Sequence, residues 1–139
     1  MQTFLPYPDY AASAAALDYR RLGKQRVEGY QILRTLLGIS DGWANHPAVK
    51  MWDGYEGALY HYTLACIGEW VNRGYRNTMI LPYFHGAAYP VNPPWLGDDR
   101  LHSSHRSNLL RKEPGYYSQH GWTDDPNVPY WWPTQENVT

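Results

Sequence analysis

With 139 residues, 43% of them apolar and only 18% charged, the chain has the material for a packed core and is not composed like a disordered one. A formal net charge of −1 excludes a bulk electrostatic attraction to nucleic acid, so any such affinity has to come from local clustering. The single cysteine, Cys66, excludes an intrachain disulfide, and no apolar run reaches membrane-spanning length. The expectation is a cytoplasmic, reducing setting, with no leader pattern in Met1-Gln2-Thr3-Phe4-Leu5-Pro6 and no membrane partner.

The predicted elements make one compact, all-α domain over residues 1–139, with a long central helix and long loops rich in aromatics and proline. Met1–Pro8 reads as an extended, ordered arm. Asp9 caps a short Ala-rich helix through about Asp18. Gly23 is read as a break, and a second helix then runs from about Lys24 to Leu37 and stops at Gly38. On it Val27, Tyr30, Leu33, Leu36 and Leu37 share an apolar arc, while Lys24, Glu28, Gln31 and Thr35 share the opposite side. Arg26 falls inside the apolar arc and needs a buried partner or a ligand.

Ser40–Asn45 is a loop, and a short helix follows Pro47 and ends near Asp53-Gly54. The longest helix is expected from about Tyr55 to Arg73, with Gly74 past its end. Leu59, Tyr60, Leu64, Cys66, Ile67, Trp70 and Val71 form one apolar arc. Gly57, Ala58, Ala65 and Gly68 form a small-residue side open to a close neighbour, which puts this helix at the centre of the fold. Asn77–Leu96 is a long Pro- and aromatic-rich loop whose rings either stack on bases or close the core. Asp98 or Asp99 caps a basic helix that ends near Lys112, before Pro114. Pro126–Pro133 is an extended strap, and Val138 and Thr139 fray.

Charge is uneven along this framework. Residues 20–34 hold Arg20, Arg21, Lys24, Arg26 and Arg34 against the single acid Glu28. Residues 100–112 hold Arg100, Arg106, Arg111 and Lys112 with no acid, beside His102 and His105. Cations near a helix N-terminus oppose its dipole, so backbone phosphates explain the first cluster better than helix stability does. Glu28 among cations stays ionised, and it either serves as a general base and stabilises a developing cation or merely pairs with Lys24 one turn away. In His102-Ser103-Ser104-His105-Arg106-Ser107-Asn108, one helix face carries His102, His105 and Arg106, with Asn108 a turn beyond. It suits phosphate and base-edge contacts, or else core hydrogen bonding. His46, held before Pro47 in non-helical geometry, is a weaker contact candidate, and His61 reads as a satisfied core histidine. No metal site is expected, since there is one Cys and no HExxH spacing.

These residues carry a resemblance. Asp18-Tyr19-Arg20-Arg21-Leu22, Leu22-Gly23-Lys24-Gln25-Arg26-Val27-Glu28, Glu69-Trp70-Val71-Asn72-Arg73-Gly74-Tyr75 and the paired tyrosines at Tyr117 resemble, in order and kind, segments of the pyrimidine-dimer DNA glycosylases of the phage endonuclease V type and their phage and actinobacterial relatives. The resemblance spans most of residues 1–117. It implies a single helical domain acting on double-stranded DNA without metal or cofactor. The N-terminal amine attacks C1′ of the damaged nucleotide, a glutamate on an early helix assists, and β-elimination from the Schiff base nicks the strand. A terminal amine titrates below a lysine, so more of it is nucleophilic at neutral pH.

The implied catalytic set is Glu28, Met1 and Lys24; the implied DNA contacts are Arg20, Arg21, Arg26, His46, His102, His105, Arg106 and Asn108. Arg21 stands where one register puts the family's glutamate, and Glu28 takes that role in a shifted register. Gln2 is bulky enough to keep Met1 in place, so the amine is that of Met1, or of Lys24 in its stead. The expected activity is excision of a damaged or modified pyrimidine, with or without AP lyase activity; a reaction in which Glu28 activates water fits equally. A non-catalytic nucleic-acid-binding phage accessory protein and an enzyme on a free nucleotide or modified base are the alternatives.

Overall fold

In the computed structural model, which describes residues 1–134 and 137, Asp9 accepts the Ala12 N–H and starts α1 (Tyr10–Ala16). The helix ends two residues earlier than expected because Asp18 caps the next one. That helix, α2 (Tyr19–Leu36), begins five residues before the sequence reading placed it, and Gly23 lies inside it rather than breaking it. A Cβ at Gly23 would sit 3.0 Å from the Trp70 ring, so the glycine makes room for an indole and not for a turn. Gly38 at φ 76° closes α2, as expected.

Then come α3 (Pro47–Lys50), α4 (Glu56–Asn72), α5 (His85–Ala88), α6 (Asp99–Lys112) and α7 (Pro114–Tyr117), followed by a 3-10 turn at Ser118–His120. No strand occurs among the described residues, so the fold is all-α. At 18 residues α2 is one longer than α4. The expected loop from 77 to 96 holds α5, and Asp98 rather than Asp99 caps α6. The fraying expected at Val138 and Thr139 lies outside the described residues. None of the described helices is long and apolar enough to cross a membrane.

The central helix is α4, packed against α1, α2 and α5. Its buried face is not the expected arc: Leu64 and Val71 are exposed, while Ala58, Leu59, Tyr62, Thr63 and Cys66 are buried. Trp52 stacks on Tyr62 and meets the edge of Trp95, which takes that loop tryptophan into the core. Of the small-residue side, Gly57 abuts the Gly86 carbonyl, whereas Gly68 faces open space. The face that α2 buries is also shifted, to Leu22, Gln25, Gly29, Ile32 and Leu33, and Val27 is exposed. The strap runs along α6: the Val128 carbonyl accepts from Ser107 and Asn108, and Trp131 N–H donates to Ser104 Oγ.

The crossing of α2 and α4 is set by Gly29. A Cβ there would lie 2.3 Å from Thr63 Oγ1, itself held by the Leu59 carbonyl. Gly29→Ala should therefore destabilise the fold by about 2 kcal/mol despite alanine's better helix propensity. A Thr63→Ala background should recover part of the loss, read by urea unfolding of the four proteins.

Candidate active site

The N-terminal arm passes through the interior. Gln2, Thr3, Phe4 and Leu5 are buried, and an extended segment there has no backbone partners of its own, so side chains must supply them. Phe4 N–H donates to Gln25 Oε1 (2.9 Å), and Gln25 Nε2 donates to the Gln2 carbonyl (2.8 Å). The Tyr62 hydroxyl sits 2.7 Å from both the Phe4 carbonyl and Gln25 Oε1, its one proton serving either. Leu5 N–H donates to His105 Nδ1 (2.9 Å), His102 Nδ1 meets the Leu5 carbonyl (2.7 Å), and Arg106 donates to the Pro6 carbonyl (2.8 Å). Trp52 Nε1 donates to Thr3 Oγ1.

This network corrects the reading of the 102–108 segment. His102, His105 and Asn108 are buried and cannot meet a nucleic acid. The two histidines hold the arm, and Asn108 Nδ2 donates to the Ser104 and Val128 carbonyls. Arg106 is half-buried against Asp124 (2.9 Å), so its charge is already matched. What reads as a basic, DNA-facing stripe is a polar interior surface, because the element it packs against brings unpaired backbone groups.

Burial, and secondarily the neighbouring His102, push the His105 pKa down to about 3. The unfolded ring titrates near 6.5. Below that pH the unfolded chain binds a proton that the folded chain refuses, so stability falls as the pH drops. Urea unfolding at pH 5 should give about 2 kcal/mol less stability than at pH 7 from this group. His102, shifted down mainly by burial, adds to the same slope. His105→Asn keeps an acceptor near the Nδ1 position and should remove the larger part of it.

The arm delivers Met1 to the polar side of α2. Gln2 N–H points at Glu28 Oε2 (3.4 Å), and Gln25 Nε2 donates to the same oxygen (3.1 Å). A groove of about 950 Å³ opens here, lined by Met1, Arg20, Arg21, Lys24, Glu28 and Lys112 among others. With the amine it presents five positive charges against Glu28 and Glu113. Arg20 and Lys24 are exposed, while Arg21 pairs with Asp18 (3.2 Å) and reaches Glu113 (4.0 Å). Lys112 Nζ lies 5.7 Å from the Phe4 ring and 5.8 Å from that of Tyr130. Partial burial there, then Arg21 and Arg111, hold its pKa below the usual lysine range.

Arg26 finds its partners within the protein. It donates to Asn77 Oδ1 (2.6 Å) and stacks on Trp70 at 4.3 Å, beside the groove rather than in it. His46 caps α3 through Nδ1, which accepts the Ala48 N–H. Its pKa is lowered first by burial and then by the positive N-terminus, against the pull of Glu28. His61, half-buried rather than in the core as expected, meets the Ala87 carbonyl.

The groove thus joins Met1, Lys24 and Glu28 with Arg20 and Arg21, and leaves out the other six expected contacts, of which His102, His105 and Asn108 are buried. Sequence reasoning missed Gln25, Lys112 and Tyr130 as site residues. Gln25 was findable, since it shares the 22/25/29/32 stripe and is the polar residue on it. Lys112 showed only as one cation of the 100–112 cluster, and Tyr130 had no local signal.

A sequence model of the family described as pyrimidine dimer DNA glycosylase matches residues 1–82. The chain belongs to the pyrimidine dimer DNA glycosylase family. Searches of curated proteins and of solved structures returned no match. The matched part holds the arm, α1 to α4 and Glu28, whereas Lys112 and Tyr130 come to the groove from outside it.

Proposed function

We propose that this protein is a DNA glycosylase that excises a damaged or modified pyrimidine from double-stranded DNA, with AP lyase activity supplied by an amine of the groove. The observation that carries the reading is the meeting of the N-terminal arm and Glu28 at a hydrogen bond from the N–H of Gln2, 26 residues away in sequence, to the carboxylate. Excision needs the target nucleotide out of the stack, a carboxylate against the positive charge that grows at C1′, and a nucleophile beside it. The Met1 amine attacks C1′ as the base departs, and the sugar ring opens to a Schiff base. Proton loss from C2′ then expels the 3′ phosphate by β-elimination. Arg20 and Lys24, exposed on the rim, take flanking phosphates.

The test is borohydride trapping on ultraviolet-treated duplex, followed by peptide mapping of the modified residue. The expected adduct is on the Met1 amine. An adduct on Lys24 or Lys112 would keep the lyase and move the nucleophile. Base release without any adduct would leave Glu28 activating water. The absence of both base release and adduct would overturn the glycosylase reading.

A further inference from the structure

The loop between α2 and α3 carries a side chain that neither the core nor the groove accounts for. Trp43 is the one non-glycine at positive φ (63°) among the described residues, and it is 63% exposed. A bulky residue in the left-handed region is held at a cost and persists only where its surroundings impose it; such outliers gather at working sites. The imposition is visible. Thr35 Oγ1 donates to the Gly42 carbonyl (2.8 Å), Gly42 N–H donates to Ser40 Oγ (3.2 Å), and His46 N–H donates to the Trp43 carbonyl (2.9 Å). The loop is braced on both sides of a ring that it holds out to solvent.

Two observations tie this ring to the groove. An aromatic line runs from the groove wall to the tip: Tyr130 to Trp132 at 5.8 Å, Trp132 to His46 at 6.0 Å, His46 to Trp43 at 6.2 Å. On α2, Glu28, Gln31 and Thr35 share a face. The first two line the groove and the third tethers the loop, about 10 Å further along the axis.

We infer that Trp43 is the residue that enters the duplex beside the target nucleotide and fills the stack position it vacates, with His46 and Trp132 as its buttress. This rests on the groove being a glycosylase site. Extruding a nucleotide costs stacking on both neighbours, and an indole offers a sequence-tolerant face to replace it. A ring that refills a gap must be presented rigidly and in advance, as the braced, strained turn presents it.

The experiment compares binding of the full chain to a labelled intact duplex and to the same duplex with a central tetrahydrofuran abasic site, which offers a ready-made gap and no base to excise. Wild type should prefer the gapped duplex. Trp43→Gly suits the left-handed backbone, so its melting temperature should not fall. It should lose about tenfold of that preference, with intact-duplex affinity nearly unchanged, and Trp43→Phe should recover most of it. Unchanged preference in Trp43→Gly overturns the inference. So does an equal loss on both duplexes, which would make Trp43 a general surface contact, or a wild type without preference. Failure of the underlying reading looks different: no DNA binding, or excision that survives Glu28→Gln.

Discussion

Glu28→Gln should bind duplex DNA at least as well as wild type while base excision falls by about a hundredfold or more. The substitution is nearly isosteric. Glu28 Oε2 accepts from Gln2 N–H and from Gln25 Nε2, and an amide oxygen can accept both, so the arm and Met1 stay where they are. What disappears is the negative charge. Positive charge develops at C1′ as the base departs, and a fixed carboxylate answers it in the transition state far more than in the ground state. Loss of one acid–base or electrostatic group of this kind costs about 10²–10⁴ in rate. Binding rises slightly because the groove loses one of its two acids. Single-turnover excision on ultraviolet-treated duplex and anisotropy on the same duplex separate the two effects. Excision within threefold of wild type would remove Glu28 from the chemistry.

Gln25→Leu is expected to be the most damaging single change of comparable volume. It destabilises the fold by about 3 kcal/mol and abolishes excision even in protein that is fully folded. Gln25 is buried, yet its amide serves Phe4 N–H, the Gln2 carbonyl, the Tyr62 hydroxyl and Glu28 at once. Leucine leaves buried backbone groups without partners, each costing about 1–3 kcal/mol, partly relieved by relaxation of the arm. That relaxation is what removes activity, because it lets Met1 drift from Glu28. Urea unfolding measures the first effect. Excision at a temperature where the variant is folded by circular dichroism measures the second. A folded, fully active variant would show that the arm does not need this amide to position Met1.

Much of this was legible in the primary structure. The caps at Asp9 and Asp98 and the stops at Gly38 and Gly74 are local chemistry, and they placed the helix boundaries to within a few residues. The polar side of α2, with Lys24, Glu28 and Gln31, was read correctly because helical periodicity sorts side chains without reference to neighbours. Its apolar side was misread because what a helix buries depends on what packs there. The approach of α4 at Gly29 and of the arm at Gln25 moved the buried face by part of a turn. Gly23 misled for a related reason: in isolation a glycine reads as a break, and only Trp70 shows why a helix keeps one.

The two basic segments divide along the same line. By itself the sequence determined the longer helices, the caps at Asp9 and Asp98, the cation-flanked Glu28 and the family to which residues 1–82 belong. Whether a cluster of polar residues faces water or interior was decided by the tertiary structure. His102, His105 and Arg106 look like a binding face until an extended arm, stripped of water and without a strand to pair with, needs their hydrogen bonds. The same arm brings Met1 to Glu28 and leaves Lys112 beside them. No local pattern encodes that meeting, because it depends on where a non-repetitive segment finds its donors and acceptors once the helices have packed.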